Sequence, residues 1–123
     1  MQMLDANIIL RYILNDDKRM ADEAEQVIRE GSVYVTTEVI AEVVYVLKKV
    51  YSIERDKIKT CLLEFVSEVN VSEEQIIRVG LEAYTEHNLD FVDCILFAYN
   101  RIKGYEIRTF DKKLKKLLIT DQH

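Results

Sequence analysis

The chain has 123 residues, 49% of them hydrophobic and 32% charged, with no proline and a formal charge of −5. That length supports one domain with a real core, and the balance excludes a disordered chain or one that coats nucleic acid through charge alone. The opening MQMLDANIIL has neither a basic n-region nor a long apolar h-region, which predicts a cytoplasmic protein with no secretion signal and no membrane span.

MQML reads as a short strand that delivers Asp5 at its end, followed by a helix over NIILRYIL and a break at NDD. Residues 18–30 put Met20, Ala24, Val27 and Ile28 on one face of an amphipathic helix ending at Gly31. SVYVT, β-branched and aromatic, reads as a strand. Residues 37–50 form a helix apolar nearly all round, its narrow polar stripe carrying Glu38, Glu42 and Lys49. Residues 53–66 align Ile58, Cys61, Leu62, Phe65 and Val66 on one face, and VNV follows as a short strand. Ser72-Glu73-Glu74-Gln75 has the form of a capping box opening a helix to about His87. LDFVDCILFAYNRIK is the next helix, stopped by Gly104. YEIRT reads as a strand, then Asp111, a basic helix, and a last strand at LLIT. Strands alternating with helices predict an α/β domain built on a mainly parallel sheet.

Cys61 and Cys94 lie among apolar residues at helical spacing, which suits reduced core thiols. Neither has a CxxC partner, and His87 and His123 lack zinc-ligand spacing, so a zinc site or a Cys/His nucleophile is poorly supported. Charge is uneven along the chain. Residues 101–123 carry 7 basic and 3 acidic side chains, against 10 and 19 in residues 1–100. Lys112, Lys113, Lys115 and Lys116 make a solvated helix face or a contact with phosphates.

Asp93 is the anomaly. Its neighbours in DFVDCILFA leave almost no wet face, and a lone buried carboxylate is costly unless paired, hydrogen-bonded or bound to a metal. In an open parallel sheet, ligands gather beyond the carboxyl ends of the strands. Asp5 and Asp111 follow two predicted strands, while Glu42 and Asp93 lie in the N-terminal halves of two helices. Clustered carboxylates repel unless protonated or neutralised by a cation, and oxygen-only ligands suit Mg²⁺ or Mn²⁺. Each acid also has an ordinary explanation. Asp5 and Asp111 suit helix N-caps, Glu42 continues the stripe begun by Glu38, and Asp93 suits the dipole of a helix capped by Asp90.

LDANIILRYIL, EVIAEVVYVLKK, LDFVDCILFA and TFDKKLKKL, in that order, resemble the PIN-domain ribonuclease family, and within it the VapC-type toxins of toxin–antitoxin pairs. The likeness runs from Met3 to about Leu117 and implies a single domain over residues 1–123. It implies a three-layer sandwich, a short central sheet of about four or five mainly parallel strands between helices. It also implies a catalytic, metal-binding acid in each motif, at Asp5, Glu42, Asp93 and Asp111. Asn7 and Thr109 match supporting polar positions, and Asp90 takes a capping or supporting role. Cys94 stands where the family often has alanine.

The activity so implied is endoribonuclease cleavage with Mg²⁺ or Mn²⁺, leaving a 5′-phosphate and a 3′-hydroxyl, with the C-terminal lysines steering the RNA backbone. An antitoxin protein and a homodimer are the implied partners, with Tyr12 and the residues 18–30 helix as candidate contacts. The alternatives are a solitary PIN nuclease in RNA processing and a non-catalytic PIN module that binds RNA or scaffolds a complex. A phospho-receiver domain of similar length needs an acceptor Asp after its central strand, where VNV is instead followed by Ser72.

Overall fold

A computed structural model describes residues 1–120, and His123 lies outside them. The chain forms two compact units, Met1–Glu74 and Gln75 onward. The class is α/β, with seven helices and three strands among the described residues.

The first unit opens with β1 (Gln2–Met3), α1 (Ala6–Leu14) and α2 (Lys18–Arg29), followed by β2 (Val33–Val35) and α3 (Thr37–Lys49). It closes with α4 (Arg55–Val66) and β3 (Asn70–Val71). The strands form one parallel sheet in the order β1-β2-β3, with Met3 beside Tyr34 and Val35 beside Val71. Because all three run the same way, the residues that follow them (Asp5, Thr36 and Ser72) share one edge of the sheet. Val33 and Val35 are buried, as are Ile9, Ile40, Val43 and Leu47 on the flanking helices. In α2 the buried face is Ala21, Ala24 and Ile28, and Met20 is 40% exposed. The polar turn at residues 15–17 starts the helix with an Asp17 cap, and that phase buries the small alanines in place of the methionine. Asn15 supplies the left-handed residue that ends α1.

The second unit contains α6 (Phe91–Lys103) and α7 (Lys112–Thr120), together with nearly all of α5 (Glu74–Glu86). Gly80 lets α5 lie close to α6, since a Cβ there would stand 2.8 Å from Ile95 Cδ1. The Tyr84 and Phe91 rings meet edge to face at 5.8 Å. Gly104, at φ 71°, ends α6, as expected.

Two expected strands are absent among the described residues. Residues 104–111 adopt no regular structure, although YEIRT alternates as a strand should. None of residues 105–110 is buried, so the alternation has no apolar face to satisfy. LLIT belongs to α7, because buried Leu114 and Leu117 extend the helical spacing of the lysine segment. The sheet therefore has three strands, fewer than the four or five expected. The expected capping box is also replaced. Ser72 turns its hydroxyl to the start of α3, where Oγ accepts from Thr37 N at 2.8 Å and lies 3.0 Å from Thr37 Oγ1.

Candidate active site

The short β1 strand ends at Met3, Leu4 is buried, and the chain turns at Asp5 into α1. Asp5 is the N-cap, its Oδ1 accepting from Ile8 N at 3.0 Å. Asp111 is built in the same way ahead of α7, where Oδ1 accepts from Leu114 N at 2.8 Å and Asp111 N donates to Thr109 Oγ1 at 3.0 Å. In both acids the cap occupies Oδ1 and fixes the carboxylate, so capping and ligand binding are compatible uses of one side chain. Both carboxylates are exposed, as is Asn7 in the first turn of α1. Thr109, half-buried, braces Asp111 through its backbone.

Glu42 lies in the second turn of α3, one turn beyond Glu38, and both are exposed on one face. α3 packs against α1. The start of α3 is fixed by Thr36, whose Oγ1 accepts from Val39 N, and by the Thr37–Ser72 pair, in which Thr37 Oγ1 also donates to the Ser72 carbonyl. The sequence pattern gave Ser72 a different partner and no role to Thr36 and Thr37. Their signal was positional, because Thr36-Thr37 and Ser72 directly follow two parallel strands.

Asp93 is the third residue of α6 and is half-buried, while its neighbour Val92 is exposed. Its pKa is held above the ordinary carboxylate value, first by desolvation, then by the Asp111 charge and then by that of Asp90. Asp90 occupies the N-cap position of α6 but makes no side-chain cap bond, so the expected capping role is not found. Its carboxylate instead adds to the negative charge around Asp93.

The second unit thus brings Asp90, Asp93 and Asp111 into one electrostatic group, and the first carries Asp5 and Glu42 on helices that pack together. Among the described residues, no group of three or more His, Cys, Asp or Glu side chains is arranged to hold a metal ion. The chemistry of the acidic group nevertheless suits a hard cation: its donors are all oxygen, and Asp93 carries a charge that desolvation and two like charges disfavour.

The four lysines of α7 are exposed and do not all share one face. Lys113 and Lys116 line a cleft of about 340 Å³ with His87 and Asn88, while Lys115 Nζ lies 5.8 Å from the Phe110 ring centroid. Both cysteines are free thiols, Cys94 buried and Cys61 half-buried. Among the described residues, no helix is long and apolar enough to cross a membrane.

The sequence profile of the PIN domain matches residues 3–118, running through both units. The chain is 27% identical over 125 aligned positions to a VapC ribonuclease of Aquifex aeolicus (strain VF5), covering 95% of this chain and 92% of that protein. No solved structure gives a significant match. With the profile spanning nearly the whole sequence, the chain belongs to the PIN domain family.

Proposed function

We propose that this protein is a metal-dependent endoribonuclease, the toxin of a toxin–antitoxin pair. The observation that carries the reading is the interaction between Asp93 and Asp111, two carboxylates at the starts of adjacent helices, with the Asp93 charge disfavoured by desolvation and by its neighbours. Such an arrangement costs stability unless a cation or a function compensates. The similarity to a VapC ribonuclease supports the choice of RNA as substrate.

In this reading residues 1–123 work as a single domain in which Asp5, Glu42, Asp93 and Asp111 together hold Mg²⁺ or Mn²⁺. When bound, the ion offsets charge on the phosphodiester and lowers the pKa of the attacking water. Asp5 and Asp111 present carboxylates whose orientation is set by their caps, and Thr109 and Asn7 support them. Asp93, anchored on α6, adds the least solvated charge of the set. Glu42 accepts the proton of the attacking water. In-line displacement then leaves a 5′-phosphate and a 3′-hydroxyl, and the lysines of α7 steer the backbone. A basic side chain of an antitoxin would neutralise the same acids and silence the enzyme, and the protein acts as a homodimer in the cytoplasm.

The deciding experiment is Mg²⁺-dependent cleavage of a labelled single-stranded RNA by the wild type and by Asp93→Asn. Loss of cleavage in the variant supports the assignment, and equal activity in both removes it.

A further inference from the structure

Phe110 is 99% exposed, more than any other large apolar side chain among the described residues. Its backbone, by contrast, is held from the C-terminal side. Asp111 N donates to Thr109 Oγ1, and Asp111 Oδ1 accepts from Leu114 N to cap α7. The ring therefore projects from a chain position fixed by the residue that directly follows it, Asp111. Lys115 Nζ stands 5.8 Å from its centroid, a cation–π distance that leaves the ring uncovered. The exposed residues next to it in sequence are Arg108, Asp111, Lys112 and Lys113.

An aromatic face beside a lysine suits a single-stranded nucleic acid: bases stack on the ring, while the cation takes the backbone. A protein partner is less well matched, because the cores of protein interfaces are depleted in lysine and an apolar anchor needs apolar neighbours. Helical spacing turns Lys115 away from Lys113 and Lys116 at their cleft with His87, with Lys112 between the two sides.

We propose that Phe110 is the platform on which this protein stacks one base of single-stranded RNA next to the scissile phosphodiester, with Lys115 receiving the adjoining phosphate. The inference rests on the nuclease reading and deepens it by naming the form of the substrate: an unpaired nucleotide, recognised by the face of its base. Stacking tolerates any base but not its absence. A base locked in a duplex has no free face to offer.

The test uses Phe110→Leu and Phe110→Trp in the full chain, each in the active protein and in the Asp93→Asn background. Anisotropy of a labelled single-stranded RNA reads binding, and cleavage kinetics read KM and kcat. The expected result is binding weakened about 5- to 150-fold in Phe110→Leu and retained in Phe110→Trp, with the kinetic loss in KM. An RNA with one abasic position at the stacking site should bind wild type and Phe110→Leu equally, because the missing base leaves nothing to stack. Unchanged binding in Phe110→Leu overturns the proposal. So does a Phe110→Leu defect confined to oligomeric state in light scattering, which would assign the ring to an interface between copies. Wild type that cleaves RNA while Phe110→Leu matches it defeats the stacking proposal alone. Wild type that neither binds nor cleaves RNA defeats the nuclease reading and the stacking proposal with it.

Discussion

Asp93 and Asp111 interact as like charges across the packing of α6 and α7, and the Asp111 carboxylate adds to the effect of desolvation in raising the Asp93 pKa. Asp111 cannot easily move away, since its Oδ1 caps α7 and its backbone N–H is bound to Thr109. Asp93 is set by a helix whose Phe91, Cys94, Ile95, Phe97 and Ala98 are buried. Two well-anchored helices therefore hold together charges that would otherwise separate, which is the arrangement expected where stability is traded for chemistry.

Asp93→Asn should abolish cleavage and yet stabilise the protein in the presence of a chelator. The folded-state pKa of Asp93 lies above its unfolded value, so folding favours the protonated form. That preference contributes fully below the ordinary carboxylate pKa and is lost as pH rises through the raised folded value. At neutral pH the ionised side chain is a net cost, which the neutral amide removes. Melting temperatures in chelator should show the variant above wild type at pH 7, with the gap narrowing toward about pH 4. A variant that melts lower at pH 7 would mean that the Asp93 carboxylate stabilises the fold.

Added Mg²⁺ or Mn²⁺ should restore what the repulsion costs. A ligand at about 100 times its Kd stabilises by roughly 2.7 kcal/mol, which a protein of this size shows as a rise of several degrees in Tm. Wild type should show the rise. Asp93→Asn and Asp111→Asn should show little of it, and chelation should stop RNA cleavage. An equal Tm shift in all three proteins would place metal binding elsewhere on the chain.

Thr109→Val removes the acceptor of the Asp111 backbone N–H while keeping the β-branched shape. The cap from Asp111 to Leu114 remains, so α7 should still form and Tm should fall only slightly. An Asp111 whose backbone is no longer tied to Thr109 places its carboxylate less well, and small misplacements of catalytic groups cost up to about 100-fold. The expected outcome is a fall of about 10-fold in kcat with KM for RNA little changed, restored by Thr109→Ser. A change confined to KM would mean that Thr109 serves substrate binding.

Much of this was legible from residue order. Asp5 and Asp111 each stand directly before a helix, and their capping could be read from those positions, whereas their spacing to the other acids said nothing of which ones meet in space. The strand at YEIRT could not be corrected in the same way, because alternation in sequence does not reveal that residues 105–110 lack a buried face. The LLIT error arose from β-branched character at a place where Leu114 and Leu117 extend a helix. Asp90 had the sequence position of a cap without its bond, a distinction that depends on side-chain rotation. Phe110 was legible only as the middle residue of TFD, since exposure belongs to the fold.

Ser72 ties the end of β3 to the start of α3, and removing its hydroxyl should be felt in both stability and catalysis. Its Oγ accepts from Thr37 N at 2.8 Å and pairs with Thr37 Oγ1 at 3.0 Å in a partly buried setting. Ser72→Ala leaves the Thr37 N–H without that acceptor, and an unsatisfied buried donor costs about 1–3 kcal/mol. Thr37→Val removes the other hydroxyl but keeps the N–H bond to Ser72, so it should cost less, and the double variant should lose less than the two singles combined. The helix held by this tie carries Glu42. If Glu42 accepts the proton of the attacking water, Ser72→Ala should also lower kcat, and Glu42→Gln should lower it further without the loss of Tm. A Ser72→Ala protein with wild-type Tm would show that water replaces the hydroxyl at no cost. One with reduced Tm but full kcat would separate the tie from catalysis and remove the reason for placing Glu42 in the reaction.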